Sequence, residues 1–510
     1  MTRPLTSIVM PRTLARATAL LLALASPAFM RAQDTASVAP PSAIPLTLEE
    51  CIARAMQKNF DLQIQSFSTD IAKEALNVAK ADFDPTLTAS ARRNLNQSAA
   101  TTSRLDGTAA SGPRSDNTTF SVGASERIST GGIVSLTGNT TRGATNSANS
   151  TLNPAFGSSA GVNLSQPLLR NAGSNVSRAN IERNKLGVGI ALLTYKSRVL
   201  AVIHDTEAAY YNLAYARENL TVKKRSLNLA EKLFDENKIR KSTGVATDLD
   251  VLTAEVGVAN ARRAAIQAEQ AVRDREDSLY ILIGQVDFNI RPGAVKFGDY
   301  TEGAPSFDLS YKLARDRSPD FLTTQFQIQQ FEIDARSAKR AALPGLNLDT
   351  GAGYSATERS YGDALGNLPE GNGYNWNVGL SVVVPWGLHA DKARYRSAKL
   401  SLAQQQSRLQ QLDRSLLVNV RTAVRAVETN IAAVEIAAKA TELSQRQYDL
   451  QKARFDAGLS TSRLVLQAQD DLEAARVGEL QSKVSLRIAL ADLHRIDASS
   501  LDRYKIGLPE

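Results

Sequence analysis

The stretch Asn375-Trp376-Asn377-Val378-Gly379-Leu380-Ser381-Val382-Val383-Val384 decides how this chain folds. In an extended backbone Trp376, Val378, Leu380, Val382 and Val384 share one face, and Asn375, Asn377, Gly379 and Ser381 the other. Uncharged alternation over about ten residues suits a strand with lipid on one side and water on the other. A half-buried strand of a soluble sheet has the same period, so the neighbouring sequence must decide. Leu87, Ala89 and Ala91 oppose Thr86, Thr88, Ser90 and Arg92, and Val162 and Leu164 alternate with Gly161, Asn163 and Ser165. The intervening segments 95–117, 143–157 and 356–373 are long, polar and rich in Gly, Ser and Asn, as extracellular loops are. So few strands cannot close by themselves, which predicts a barrel shared with sister chains. Thr118–Ile128 and Ile133–Thr141 read as two more strands joined at Ser129-Thr130-Gly131-Gly132. They predict either six barrel strands per chain, or four with a hairpin outside the membrane.

Outward from these strands the sequence is written twice. Pro85 and Pro344, at an offset of 259, end helix-rich segments and open the strand regions 84–167 and 345–385, which Pro167 and Pro385 close. Asn59-Phe60-Asp61-Leu62 answers Ser318-Pro319-Asp320-Phe321 at the same offset, and Gly244…Val251-Leu252 answers Gly458…Val465-Leu466 at 214. Two repeats follow, 46–294 and 306–494, joined by a linker at 295–305 and trailed by a tail at 495–510. Each runs helix (46–82; 306–342), strands, long helix (174–243; 388–457) and return helix (246–284; 460–494). Leu192, Val199, Thr206, Leu213, Leu220, Leu227 and Phe234 keep a seven-residue spacing. Leu402, Leu409 and Leu416 do likewise, and Val420, Val427 and Val434 continue after a shift of four. Such spacing predicts a seam against another helix. Gly244 and Gly458 supply the left-handed residue that stops a helix.

Arg3, Arg12 and Arg16 precede an apolar run from Ala17 to Met30, the layout of a cleavable signal peptide over 1–32, followed by a linker at 33–45. Removing 1–32 takes away four arginines and no acid, lowering the net charge from +8 to +4. No nucleic-acid footprint is left. Cys51 is the single cysteine and reads as a small apolar residue on a helix. No later run approaches eighteen uninterrupted apolar residues, so no transmembrane helix is predicted.

The chain resembles the TolC family of outer-membrane efflux proteins over about 46–494. The likeness rests on Leu46-Thr47-Leu48-Glu49-Glu50-Cys51, on Asp84-Pro85-Thr86-Leu87, on Leu164-Ser165-Gln166-Pro167-Leu168, and on the two tips, Ile239–Gly244 with Asp250-Val251-Leu252 and Arg454–Gly458 with Leu464-Val465-Leu466. The resemblance implies a mixed α/β membrane protein: a homotrimer whose strands form one transmembrane β-barrel continuous with a periplasmic coiled-coil barrel. Its barrel would have twelve strands by default, a number the extra pair puts in question. It further implies a passive exit duct in tripartite efflux or type I secretion. The partners would be a periplasmic membrane-fusion adaptor, an inner-membrane RND, ABC or MFS pump, and outer-membrane lipid, with no nucleic acid and no cofactor. Gate and adaptor contacts would lie at the tips, on Gly244, Asp248, Asp250, Phe455, Gly458, Ser460, Arg463, Leu464 and Gln467. The carboxylates that ring the family's constriction fall here on Leu464 and Gln467, and the linked acidic position is kept as Asp250. Its aromatic and basic counterparts fall on Phe455 and Ser460. Arg463 is the expected partner of Asp250, unless Asp250 only starts a helix.

Catalysis finds no support. His204, His389 and His494 read as isolated, with His204-Asp205 on a solvated or tunnel-lining face, and no His/Cys cluster has zinc spacing. The competing readings are a periplasmic adaptor, a structural coiled coil or a stand-alone porin. An adaptor should carry one helical hairpin rather than two, and a simple pore has no use for seventy-residue helices.

Overall fold

The computed structural model describes residues 46–99, 112–147, 149–285, 293, 295, 297, 303–370 and 373–507. The signal peptide and linker expected over 1–45 lie outside the described residues, as does most of the linker at 295–305. Helices α1 (Leu48–Lys58) and α2 (Phe60–Ala81) lead into strands β1 (Thr86–Gln97), β2 (Arg114–Arg127), β3 (Ile133–Thr145) and β4 (Ala155–Pro167). A single turn, α3 (Ser174–Ser177), precedes the 64-residue α4 (Ala179–Ser242) and its return helix α5 (Asp248–Leu282). Then come α6 (Phe307–Arg317), α7 (Pro319–Ala341), β5 (Gly345–Glu358), the short α8 (Tyr361–Gly366) and β6 (Gly373–Val383). The 68-residue α9 (His389–Asp456), α10 (Ser462–Ile496) and α11 (Ser500–Arg503) finish the chain. At 1.5 Å per residue α4 and α9 each extend about 100 Å.

The helices expected over 46–82 and 306–342 are each broken once, at Asn59 and Ser318. Asn59 leaves helical geometry and its side chain accepts from the amides of Asp61 and Leu62, capping α2. Ser318 precedes Pro319, which excludes it from helical space and opens α7. The paired tetrapeptides at 59 and 318 are thus two helix breaks at equivalent places.

The six strands form one antiparallel meander in the order β1 to β6, with the extra pair of strands lying inside the sheet as β2 and β3. Partner residues line up in rows across the whole sheet. Leu87, Ala124, Leu136, Val162, Ala352 and Trp376 form one apolar row, and Ala89, Val122, Gly138, Ala160, Tyr354 and Tyr374 the next. On the opposite face Thr86, Ser125, Ser135, Asn163, Gly351 and Asn377 form a polar row. Along these rows one face of the sheet is therefore apolar from edge to edge and the other suited to water.

The helices pack side by side as a layer. Next to the sheet it runs α2, α4, α7, α9, and farther away α5, α4, α10, α9. Its cores lie between neighbours. One joins Cys51, Ile52, Ile203, Leu213, Leu279 and Ile283, and another joins Leu416, Val420, Val427, Leu486 and Leu493. Burial pushes the Cys51 thiol up to about 12, so it stays protonated. The expected seam on α4 is buried at Val199, Thr206 and Leu213 but then passes to Ser226, Ala230, Leu233 and Asn237. A straight helix drifts roughly 20° per heptad, and that drift moves the buried edge off Leu227 and Phe234. Among the described residues α4 alone is long and apolar enough to cross a membrane, contrary to the expectation of no such helix. It packs on α1, α2, α5, α7 and α10, yet only 22% of its apolar stretch is buried within the single chain. The expected tail at 495–510 is likewise no loose end: Leu501, Tyr504 and Ile506 pack on the first core.

Candidate functional site

Two places concentrate polar side chains whose arrangement requires the tertiary fold: the helix tips far from the sheet and a cluster halfway along the helices. The four prolines at the helix–strand junctions lie where the elements change. Pro85 and Pro344 sit between helix and strand, Pro167 closes β4, and Pro385 follows β6. Just beyond, Arg170 reaches the buried Asp391 at 3.1 Å, tying the segment after β4 to the start of α9.

At the first tip Gly244 is left-handed (φ 81°), and Val245 N donates to Arg240 O to close α4. Thr247 caps α5 in a reciprocal box with Asp250, whose carboxylate accepts from Thr247 N at 2.9 Å and Thr247 Oγ1 at 2.7 Å. These bonds hold the Asp250 carboxyl below its usual range. Asp250 therefore starts a helix and does not pair with Arg463, which lies exposed on α10. Asp248 pairs with Lys241 across the turn.

At the second tip Gly458 is left-handed (φ 77°), and Leu459 N donates to Arg454 O at 2.8 Å. Phe455, only 3 % exposed, packs with Leu233 and Val465 between the tips. Arg240 covers its ring at 4.0 Å and donates from both terminal nitrogens to Phe455 O at 3.1 Å. Lys452 reaches Glu236 at 2.6 Å and Asp456 at 2.8 Å. Ser462 Oγ donates to Asn237 Oδ1 at 2.7 Å, and Gln451 donates to Ser460 Oγ. The structure thus brings Phe455 and Ser460 into the tip contacts and leaves Leu464 and Gln467 exposed. Glu236, Asn237, Arg240, Lys452 and Ser462 were not anticipated. For all but Ser462, which follows Gly458, the legible signal is charged and amide residues about two turns or less before each glycine.

Halfway along, His204 is not isolated but bridges two helices. Its Nδ1 lies 3.0 Å from Asp205 and its Nε2 3.1 Å from Asp492 of α10, with the ring only 19 % exposed. Asp205 first and Asp492 second raise it from 6.5 to about 9. One helical turn on, the buried Glu207 accepts from Tyr504 Oη, and burial pushes its carboxyl up. A histidine raised by folding stabilises fully below pH 6.5 and loses that contribution as pH climbs through about 9. Raising the pH from 7 to 10 should therefore weaken the α4–α10 contact by roughly 1–2 kcal/mol after solvent screening. His204→Gln should show that part of the loss already at pH 7. Melting temperatures of both chains at the two pH values check this: the variant should lose less between pH 7 and 10. An equal loss in both assigns the pH effect to other groups.

Among the described residues no group of His, Cys, Asp and Glu could hold a metal ion. The sequence profile of the family described as outer membrane efflux protein matches residues 133–285 and 310–499. The fold is similar to the CmeC outer membrane channel of Campylobacter jejuni, at TM-score 0.67 and 18% identity, covering 91% of this chain and 90% of that one. It is also similar to the open state of the MtrE outer membrane channel of Neisseria gonorrhoeae (0.63, 20%, 88% of each chain). The outer membrane protein VceC of Vibrio cholerae matches at 0.65 and 15%, over 88% of this chain and 96% of that one.

Proposed function

Because this chain belongs to the outer membrane efflux protein family, whose members are outer-membrane channels and not enzymes, we propose that three copies of it form one continuous exit duct. The sheet crosses the outer membrane and the helices enclose a tunnel in the periplasm. One observation carries this reading: both walls of the single chain are open along the same two edges. One edge is α2 and β1, the other β6 and α9. Phe60, Ile64, Phe67, Ile71 and Val78 lie exposed along α2, and Ile436, Leu443 and Leu450 at sevenfold spacing along α9. Apolar stripes of that spacing want a facing helix. Only sister chains offer matching edges to helix and strand at once. Equilibrium sedimentation in detergent should give three chains per particle, and a monomer would overturn the duct.

In this reading the tips form the periplasmic mouth, where the duct meets an adaptor and an inner-membrane pump that selects the cargo. Gly244 and Gly458 turn the chain there, Asp248 and Asp250 start the return helix, Phe455 packs between the two tips, and Ser460 braces the second tip through Gln451. Exposed Arg463, Leu464 and Gln467 line a constriction that is apolar and amide-bearing rather than acidic. Leu464→Asp should then raise cation selectivity in planar bilayers; unchanged selectivity removes Leu464 from the constriction. Lys452→Ala removes the contacts to Glu236 and Asp456, worth about 1 kcal/mol, and should raise the open fraction roughly fivefold. Unchanged channel opening would show that this link does not hold the mouth.

A further inference from the structure

The resemblance implied twelve barrel strands, whereas the sheet of this chain has six strands of its own. Were β2 and β3 a hairpin outside the membrane, β1 would have to pair with β4. Instead β1 pairs with β2 along its whole length, from Thr86 opposite Ser125 to Gln97 opposite Arg114. In turn β3 pairs with β4 from Ile133 opposite Ser165 to Gly143 opposite Ala155. The hairpin also carries the same division of faces as its neighbours. Phe120, Val122, Ala124, Val134 and Leu136 continue the apolar side, and Ser121, Gly123, Ser135, Thr137 and Asn139 the polar side. Its turn is seated on the helix–strand junction. Thr130 Oγ1 donates to Gln166 at 2.7 Å, and Gly173 N donates to Thr130 O at 3.0 Å.

The two edges are the remaining requirement. Among the described residues neither β1 nor β6 has a second partner strand, and β1 is exposed throughout. In lipid no strand edge can be left unpaired, so something must cover both. The edges suit each other: β1 leaves α2 as β6 returns to α9, so they run oppositely, and their lengths are 12 and 11 residues. Resting on the trimer proposed above, we infer that β6 of each copy pairs with β1 of the next, closing three chains of six strands into one wall of eighteen. Because barrel diameter grows roughly linearly with strand number, this barrel is about one and a half times as wide as one of twelve strands. The widening belongs to β2 and β3, and the apolar rows that cross them are the face turned to lipid.

Single tryptophans in proteoliposomes containing brominated lipid test the strand count. With Trp376 and Trp386 replaced by phenylalanine, Val122→Trp and Leu136→Trp should lose emission as fully as the native Trp376 does alone. Thr137→Trp, facing water, should lose less than half as much. If Trp376 is quenched while positions 122 and 136 match 137, the hairpin lies outside the membrane and eighteen strands are excluded. An unquenched Trp376 instead overturns the membrane-barrel reading and this proposal with it. Closure is read separately by oxidising double variants of a Cys51→Ala chain. They pair Cys at Leu87, Ala89 or Ala91 with Cys at Trp376, Val378 or Leu380 in all combinations. The best-registered pair should give a covalent ladder ending at three chains. A ladder ending at two chains, or no cross-link in any combination, overturns the proposed closure.

Discussion

Leu380→Arg is expected to cost about 2–4 kcal/mol and to leave little folded protein in the outer membrane, whereas Ser381→Arg next to it should be tolerated. Leu380 stands on the apolar face of β6, in line with Trp376 and Val378, and is exposed, with none of the described residues covering it. In the proposed barrel, lipid covers it. A guanidinium there would have to be carried into hydrocarbon or drawn out to the boundary on its flexible stem. Ser381 lies on the opposite face, where it donates to Asp349 at 3.1 Å. An arginine at that position meets water and a carboxylate. Heat-modifiable folded bands from outer-membrane fractions of the two variants measure the difference. Equal loss in both would mean that the sheet does not separate lipid from water as its rows indicate.

The second large effect is expected at Gly284, where alanine should cost roughly 2–5 kcal/mol. Gly284 ends α5 with φ 63°, a conformation that taxes any side chain by about 1–2 kcal/mol. It is also pressed against the end of α1. A methyl group there would lie 2.6 Å from Lys58 Cβ and 2.7 Å from Lys58 O. The backbone oxygen cannot swing aside, so α1 and α5 must separate. With them goes the hydrogen bond from Asn59 Nδ2 to Leu282 O, at 3.0 Å. Gly244 and Gly458 provide the controls. Both are left-handed, at φ 81° and 77°, yet a methyl group on either meets nothing within 4 Å. Gly244→Ala and Gly458→Ala should therefore cost only the conformational part, about 1–2 kcal/mol. Denaturant midpoints of the three variants decide it, and Gly284→Ala no worse than the other two would show that α1 yields without cost.

Gly284 also shows where sequence reading stops. Gly244 and Gly458 could be identified because each follows a long periodic helix at a repeated spacing. Gly284 stands in no such pair, and its importance comes from Lys58, a residue 226 positions away. The tips divide in the same way. Their turns were legible, but Asp250 spends its carboxylate on Thr247 and not on Arg463. The contacts between tips run through Arg240 and Lys452. His204 likewise looked solitary until α10 brought Asp492 to its second nitrogen.

From the sequence alone came most of what depends on near neighbours along the chain. Period-two alternation marked the strands, sevenfold spacing the helix seams, prolines the changes of element, and glycines the turns. Each is a local matter of backbone geometry and side-chain period, so each could be read without knowing what lies across the fold. Tertiary structure decided what depends on distant segments meeting. It placed β2 and β3 within the sheet, aligned apolar rows across six strands, and left the same two edges open in sheet and helices. Pairing partner, register and ion-pair partner are properties of two segments at once, and no single stretch of residues contains them.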